Sequence, residues 1–433
     1  MNKSILLLFA ILFLNYSCKK TETKNDQTET NTFITEKVKT RIDSTLKSFM
    51  EEGKVAGIST LIFEKDKEVH YAQFGYADRE DSIPMNRNTI VRIYSMTKPI
   101  VGVALMTLYD KGAFQLDDPL TKYAPEFEKM MVYAGYDSIN KKVLLEPLNR
   151  PITIRDITRH SAGFDGFMPG VPRLRGRDNP TDKENTLQEM AEKLGKRPLA
   201  FQPGTRWAYG VSVDVQAFLV ERISGVPFEQ YLRENVLDPL GMTETRYFIP
   251  EEDRDRFAAT YNYNRETTEL TRVPDTITQI LNYYKWPFTP GGLGLTSTLD
   301  NYQTFAQMLI NDGTINGVTI LKPETVKLMR TNHLDLNIPI SDRGFLPNRG
   351  QMGFGIDFGV RVAPPIDADE NNGVVGEFFW DGAFSTLFIG DPVNDLTIVM
   401  FVQLSPYDQI QLHKKFRDAI YGNFVPETTA KTE

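Results

Sequence analysis

Pro99 to Lys111, PIVGVALMTLYDK, constrains the fold of this 433-residue chain more than any other stretch. It reads as a helix with apolar side chains on nearly every face. Such a helix is stable only when covered all round, so the chain must build a body large enough to hide it. The material for that body runs from about Phe33 to residue 425, and no internal repeat or long linker divides it. Ile34, Val38, Ile42, Leu46 and Phe49 recur at helical spacing, which predicts an amphipathic helix over 33–51. Gly57 to Phe63 and Val69 to Gly75 read as the two strands of a hairpin, joined at Glu64-Lys65-Asp66-Lys67. Residues 150–310 alternate helical patterns with long Pro/Gly-rich loops. Strands return at 376–380, 384–389 and 396–403, and His413 to Tyr421 reads as a closing helix. The simplest arrangement puts the terminal strands and helices around one antiparallel sheet, with a mostly helical lobe inserted between them. That is an α+β pattern.

Composition excludes several functions. The formal net charge is −8, which argues against a nucleic-acid binder. One cysteine permits no internal disulfide, no CxxC redox pair and no Cys-rich zinc site. The four histidines, His70, His160, His333 and His413, are too far apart in sequence for an HExxH metal site. The lone cysteine, Cys18, has a different use. Met1-Asn2-Lys3 precedes an apolar run of ten, Ile5 to Leu14. This is too short to span a bilayer, which takes about 20 residues, and it reads as a signal-peptide core. Ser17-Cys18 follows, a small residue before a cysteine, as at a bacterial lipoprotein cleavage site. The expectation is a signal peptide over 1–17, lipidation of Cys18, a flexible polar tether over 18–32, a folded body over 33–425 and a flexible polar tail over 426–433. The protein is then held on the periplasmic side of the cell envelope through its N-terminal lipid.

The chemistry starts at Ser95-Met96-Thr97-Lys98. Residues i and i+3 share a helix face, so the hydroxyl and the amine can meet. A serine needs a neighbouring base to become a nucleophile, and a lysine in a desolvated pocket is pushed toward its neutral form. Four S-x-x-K strings occur, at Ser17, Ser44, Ser95 and Ser138, but only Ser95 opens the buried apolar helix. There the first backbone N–H groups are free to hold an oxyanion. Tyr209 follows a Pro203-Gly204 turn and just precedes a helical stretch over 211–223. Aimed at Ser95 and Lys98, it can shuttle a proton. In Phe379-Trp380-Asp381-Gly382-Ala383, glycine lets a substrate come close to the backbone. An edge-strand N–H, that of Ala383, is placed to pair with the Ser95 N–H as a second oxyanion donor.

Together these segments resemble the serine β-lactamase and penicillin-binding protein superfamily, and most nearly its class C β-lactamases and family VIII carboxylesterases. The resemblance covers about 390 residues in the family's order. It includes Gly57-Ile58-Ser59, Arg92 to Lys98, Leu116 to Leu120 followed by Tyr123-Ala124-Pro125, Ile154 to Gly163, Pro203 to Tyr209 and Gly291 to Thr298. It implies the β-lactamase/transpeptidase-like fold, an acyl-enzyme on Ser95 and no metal or organic cofactor. It assigns His160 a structural place. Lys98 and Tyr209 share the activation of Ser95, and either can be the base.

The departures from the family bear on specificity. Penicillin-recognising members carry Tyr-x-Asn, where this chain has Tyr209-Gly210-Val211. They carry Lys-Thr-Gly, where it has Trp380-Asp381-Gly382. Without those partners a site favours neutral acyl groups over β-lactams, so the expected activity is a carboxylesterase on a small-molecule ester or amide substrate, with a β-lactamase or D-Ala-D-Ala carboxypeptidase-like cell-wall enzyme as the alternative. A non-catalytic binding protein on the same fold is the third reading. The esterases of this group commonly have Trp-Gly-Gly, so Asp381 is unusual even there, either turned away from the site or reshaping its specificity. Trp380, Asp381 and Gly382 are the expected substrate-binding residues, and no protein partner is expected. The basic stretch Pro172 to Lys183 is either a solvated loop or a rim of the pocket.

Overall fold

The computed structural model describes residues 32–425. The signal peptide, Cys18, nearly all of the tether and the tail after 425 lie outside the described residues. The body begins with α1 (Glu36–Glu51), capped by the Thr35 hydroxyl, which accepts from the Val38 N–H. Strands β1 (Gly57–Glu64) and β2 (Lys67–Asp78) follow as the expected hairpin. Its two turn residues, Lys65 and Asp66, are both left-handed, at φ 51° and 61°. That is the conformation a two-residue hairpin turn demands. After the short β3 (Ile83–Pro84) comes the apolar helix α2 (Thr97–Asp110). Further on lie α3 (Ser212–Ser224) and α4 (Leu299–Ile310). The chain ends with β4 (Met352–Phe354), β5 (Gly359–Arg361), β6 (Phe378–Asp381), β7 (Leu387–Asp391), β8 (Leu396–Val402) and α5 (Leu412–Tyr421).

These eight strands form one antiparallel sheet in the order β4-β5-β6-β7-β8-β1-β2-β3. The N-terminal hairpin thus pairs with the C-terminal strands, β1 against β8, as the sequence suggested. Alternation along β8 divides the core in two. Leu396, Ile398, Met400 and Val402 pack with Ile42, Leu46 and Phe49 of α1 and with Phe416 and Ile420 of α5. Val399 and Phe401 face the other way, toward α2, α3 and α4. This is the two-residue period of a strand covered on both faces. Helix α2 lies inside the second core, and its residues from Thr97 to Leu108 are all buried.

Three sheet strands, β3, β4 and β5, carried no sequence signal, because each is only two or three residues long. The inserted lobe is also less purely helical than expected. It holds a hairpin over Val132–Asp137 and Lys142–Glu146 and another over Tyr261–Asn264 and Glu269–Arg272. The first is largely exposed along its second strand, so it lacks the apolar alternation that marks a strand in sequence. Beyond β5, the fully buried Glu377 accepts from Arg361 Nε at 3.0 Å and from Arg417 Nη1 at 2.8 Å, tying the sheet to α5. No helix among the described residues is long and apolar enough to cross a membrane.

Candidate active site

Ser95 lies on a 3₁₀ turn, Tyr94–Met96, that feeds directly into α2. The helix therefore starts two residues later than the nucleophile position. Tyr94 is left-handed at φ 42°, a conformation that costs a residue with a side chain about 1–2 kcal/mol. Tertiary contacts hold it there. Its ring packs edge-on against Phe384, 4.4 Å between centroids, and the Tyr302 hydroxyl of α4 donates to the Met96 carbonyl at 2.9 Å.

One turn on, Lys98 is buried and reaches back to Ser95, its Nζ 3.3 Å from Oγ. The same nitrogen donates to the Gly292 carbonyl at 2.6 Å. The Gly292 N–H in turn donates to Asp214 Oδ1 at 3.0 Å, and burial pushes the Asp214 carboxyl above its ordinary range. The segment around Gly292 is zipped along the nucleophile turn. The Ile93 N–H donates to the Leu295 carbonyl, and the Leu295 N–H to Thr97 Oγ1. Gly291 lets the same segment close on α3 as well, since a Cβ there would sit 2.1 Å from the Val213 carbonyl.

Tyr209 stands just before α3, as expected, with its ring centroid 4.3 Å from Lys98 Nζ. Its hydroxyl oxygen accepts from Trp380 Nε1 at 3.1 Å. An indole N–H thus meets the tyrosine from the position where penicillin-recognising relatives carry a lysine. His160 packs on Tyr209 and Trp207, with centroids at 4.7 and 5.8 Å. It is fully buried, which pushes its pKa well below the usual value, and neither ring nitrogen has a hydrogen-bond partner among the described residues. It is a packing residue in this arrangement.

The Ala383 position differs from expectation. Strand β6 is interior, between β5 and β7, and residues 382–386 form the turn that joins it to β7. Ala383 is therefore an exposed turn residue rather than part of an edge strand. The cause is local: Ser385 is left-handed at φ 67°, and the Gly382 N–H donates to the Thr386 carbonyl, closing the turn before pairing resumes at Leu387. This turn sits against the nucleophile segment. A Cβ on Gly382 would lie 2.6 Å from the Ile93 carbonyl. Among the described residues, neither the Ser95 nor the Ala383 N–H donates to a protein acceptor, and both residues line one cavity.

Ser95 opens onto two cavities. One, of about 490 Å³, is walled by Tyr247, Phe248, Leu281, Tyr284, Trp286 and Phe288. Gly210 and Val211 line it too, and neither offers a side-chain amide. Thr181 and Lys183 reach its wall, whereas Arg173, Arg175 and Arg177 of the same basic stretch are exposed, so that loop is a rim at one end and solvated at the other. The other cavity, of about 480 Å³, is walled by Trp380, Asp381, Ala383, Arg349 and Tyr407. Asp381 thus faces the site, and it is not a bare charge. Arg349 donates to both its oxygens, Nε to Oδ2 at 3.0 Å and Nη2 to Oδ1 at 3.1 Å, and the Tyr407 hydroxyl donates to Oδ2 at 2.6 Å.

Sequence reasoning missed Arg349, Tyr407, Asp214 and the Gly292 carbonyl as partners of the site. The Gly291–Thr298 segment is recognisable in the sequence, but nothing in it tells which carbonyl meets the lysine. Arg349 lies in an irregular loop with no periodic signal. Among the described residues, no group of three or more His, Cys, Asp or Glu side chains could hold a metal ion.

The sequence model of the Beta-lactamase family matches residues 42–421, so the chain belongs to that family. It is 32% identical over 84% of its length to an uncharacterized protein of Mycobacterium tuberculosis, covering 89% of that chain. It is 26% identical to the lovastatin esterase of Penicillium rubens, over 88% of this chain and 98% of the other. Among solved structures, simvastatin synthase (LovD) from Aspergillus terreus superposes with a TM-score of 0.73 at 21% identity, over 88% of this chain and 97% of the other. The fold is β-lactamase/transpeptidase-like, and the family with its relatives supports a hydrolase or acyl-transferring enzyme.

Proposed function

We propose that this protein is a serine hydrolase that forms an acyl-enzyme on Ser95 and acts on carboxylic esters. The observation that carries the ester reading is at Trp380. Where cell-wall enzymes place a lysine for the substrate carboxylate, this chain places an uncharged indole, and that indole is engaged with Tyr209. The nearest cation on that wall, Arg349, is matched by Asp381. A β-lactam or peptide carboxylate finds no free positive partner there.

In this reading Lys98, 3.3 Å from Oγ, accepts the Ser95 proton as Oγ attacks the ester carbonyl. The negative charge on the carbonyl oxygen is met by the Ser95 and Ala383 N–H groups, each worth about 10²–10³-fold in rate. The bond to the alkoxy oxygen then breaks, and the alcohol leaves with a proton returned through Lys98 or Tyr209. Water repeats the sequence on the acyl-enzyme and releases the acid, and an acceptor alcohol in place of water gives acyl transfer.

A fluorophosphonate label followed by peptide mapping should modify Ser95 and fail in Ser95→Ala. Side-by-side assays with short acyl p-nitrophenyl esters and a chromogenic cephalosporin should show ester turnover well above cephalosporin turnover. Labelling elsewhere, or undiminished turnover in Ser95→Ala, refutes the assignment, and dominant cephalosporin turnover makes it a β-lactamase. The same proposal places the enzyme on the periplasmic side of the envelope, tethered through a lipid on Cys18. Cys18→Ala should release it from membranes, and continued membrane retention argues against that anchor.

A further inference from the structure

Asp381 is the residue of the site that departs furthest from the family's pattern, and its surroundings say what the departure does. It ends β6, next to Trp380 on one side and the oxyanion turn on the other. Its carboxylate and the Arg349 guanidinium make a two-point pair, both side chains nearly buried, at 7% and 10% exposure respectively. Arg349 is held in place by rings, with Phe345 4.4 Å, Tyr407 5.1 Å and Trp380 5.5 Å from the guanidinium carbon. Both members of the pair line the same cavity as Ser95. Without Asp381, Arg349 would present a positive charge with forked donors, the geometry that binds carboxylates.

Resting on the ester-hydrolase reading above, we propose that Asp381 is a specificity-determining residue. It cancels Arg349, so the Trp380-side cavity accepts a neutral, hydrogen-bonding half of the ester and rejects a carboxylate. The rest of the wall leans the same way. Asp369 and Asp408 also line it, and its one other cation, Lys414, is paired with Asp418 at 2.8 Å.

The proposal predicts signs as well as sizes. Asp381→Asn keeps the shape and frees the cation. Arg349→Gln leaves the anion unmatched. The double variant has neither charge. The readout is the ratio of kcat/KM between esters that differ only in one group, carboxylate, carboxamide or ammonium, placed either on the leaving phenol or at the end of the acyl chain. The set whose ratio moves identifies which half of the ester occupies this cavity. The full-length wild type should favour the carboxamide over the carboxylate. Asp381→Asn should move that ratio toward the carboxylate by about 10- to 100-fold, the worth of one charge-assisted hydrogen bond. Arg349→Gln should move it the other way and favour the ammonium ester, and the double variant should return to near the wild-type ratio.

Fluorophosphonate labelling of Ser95 reports that each variant keeps a formed site. No labelling and no ester turnover by the wild type refutes the hydrolase reading, and this proposal falls with it, whereas the outcomes below overturn the proposal alone. A wild type that takes the carboxylate as readily as the carboxamide overturns the proposal even if no variant folds. So do ratios unchanged within about twofold in both single variants, well below that expected effect, or shifts of the same sign.

Discussion

The hydrogen bond from Trp380 to Tyr209 gives the sharpest test of how the site works. Trp380→Phe keeps an aromatic ring in a fully buried position but removes the N–H that donates to the Tyr209 oxygen at 3.1 Å. Two costs follow, and they separate. The smaller ring leaves a void among Tyr209, Phe354 and Phe345, whose ring centroids lie 5.3–6.5 Å from the indole. That void lowers stability by about 1–2 kcal/mol, at the lower end of large-to-small core changes. The lost donor is a catalytic cost. As Tyr209 returns a proton to the leaving alcohol its oxygen gains negative charge, so the bond is then charge-assisted and worth about 1.5–3 kcal/mol, or roughly 10- to 150-fold in kcat. The assay is a double-mutant cycle on kcat with a p-nitrophenyl ester, using wild type, Trp380→Phe, Tyr209→Phe and the pair. Trp380→Phe should cost that factor in the wild-type background and almost nothing once the Tyr209 hydroxyl is gone. An equal loss in both backgrounds would refute the reasoning, since the effect would then be packing alone. Melting temperatures of the four proteins track the packing cost independently.

Two further predictions come from the site's margins. Gly382→Ala places a Cβ 2.2 Å from Thr386 Oγ1 and 2.6 Å from the Ile93 carbonyl, forcing the turn that carries Ala383 away from the turn that carries Ser95. Its kcat should fall about 10²-fold or more, the loss of one oxyanion donor, with a smaller change in KM, and a kcat within a factor of a few of wild type would remove Ala383 from the mechanism. Asp165 has its carboxyl raised to about 6, chiefly by burial, and Oδ2 accepts from the Val211 N–H at 2.9 Å, next to Tyr209. Its ordinary value is 3.8, so the folded state holds the proton more tightly and stability falls as pH rises from about 4 to about 6. Asp165→Asn keeps an acceptor and loses the charge. It should melt higher than wild type above pH 6, by the equivalent of about 1–3 kcal/mol, and converge with it below about pH 4. Parallel melting curves across that range would contradict the burial account.

Parts of this structure were legible without coordinates wherever a local pattern carries its own physics. Helix α2 declares itself because an apolar surface on every face has one outcome, burial. The β1–β2 hairpin follows from two β-rich runs and a polar turn. Ser95 and Lys98 meet because three residues of helical spacing bring them to one face. These features are each written in a short stretch of chain.

What the tertiary structure alone decided lies between residues far apart in sequence. The acceptor of Lys98 is a carbonyl 194 positions away, and Asp381 is neutralised by an arginine 32 positions away in an irregular loop. Strands β4 and β5 exist only because a neighbouring strand offers them hydrogen bonds, since three residues carry too little pattern to specify a strand. The sequence determined that a serine and a lysine would stand together at the head of a buried helix. Which charges surround them is a matter of electrostatics across the folded body, where the position of every partner, and not its residue type, sets whether Asp381 repels a substrate or only silences Arg349.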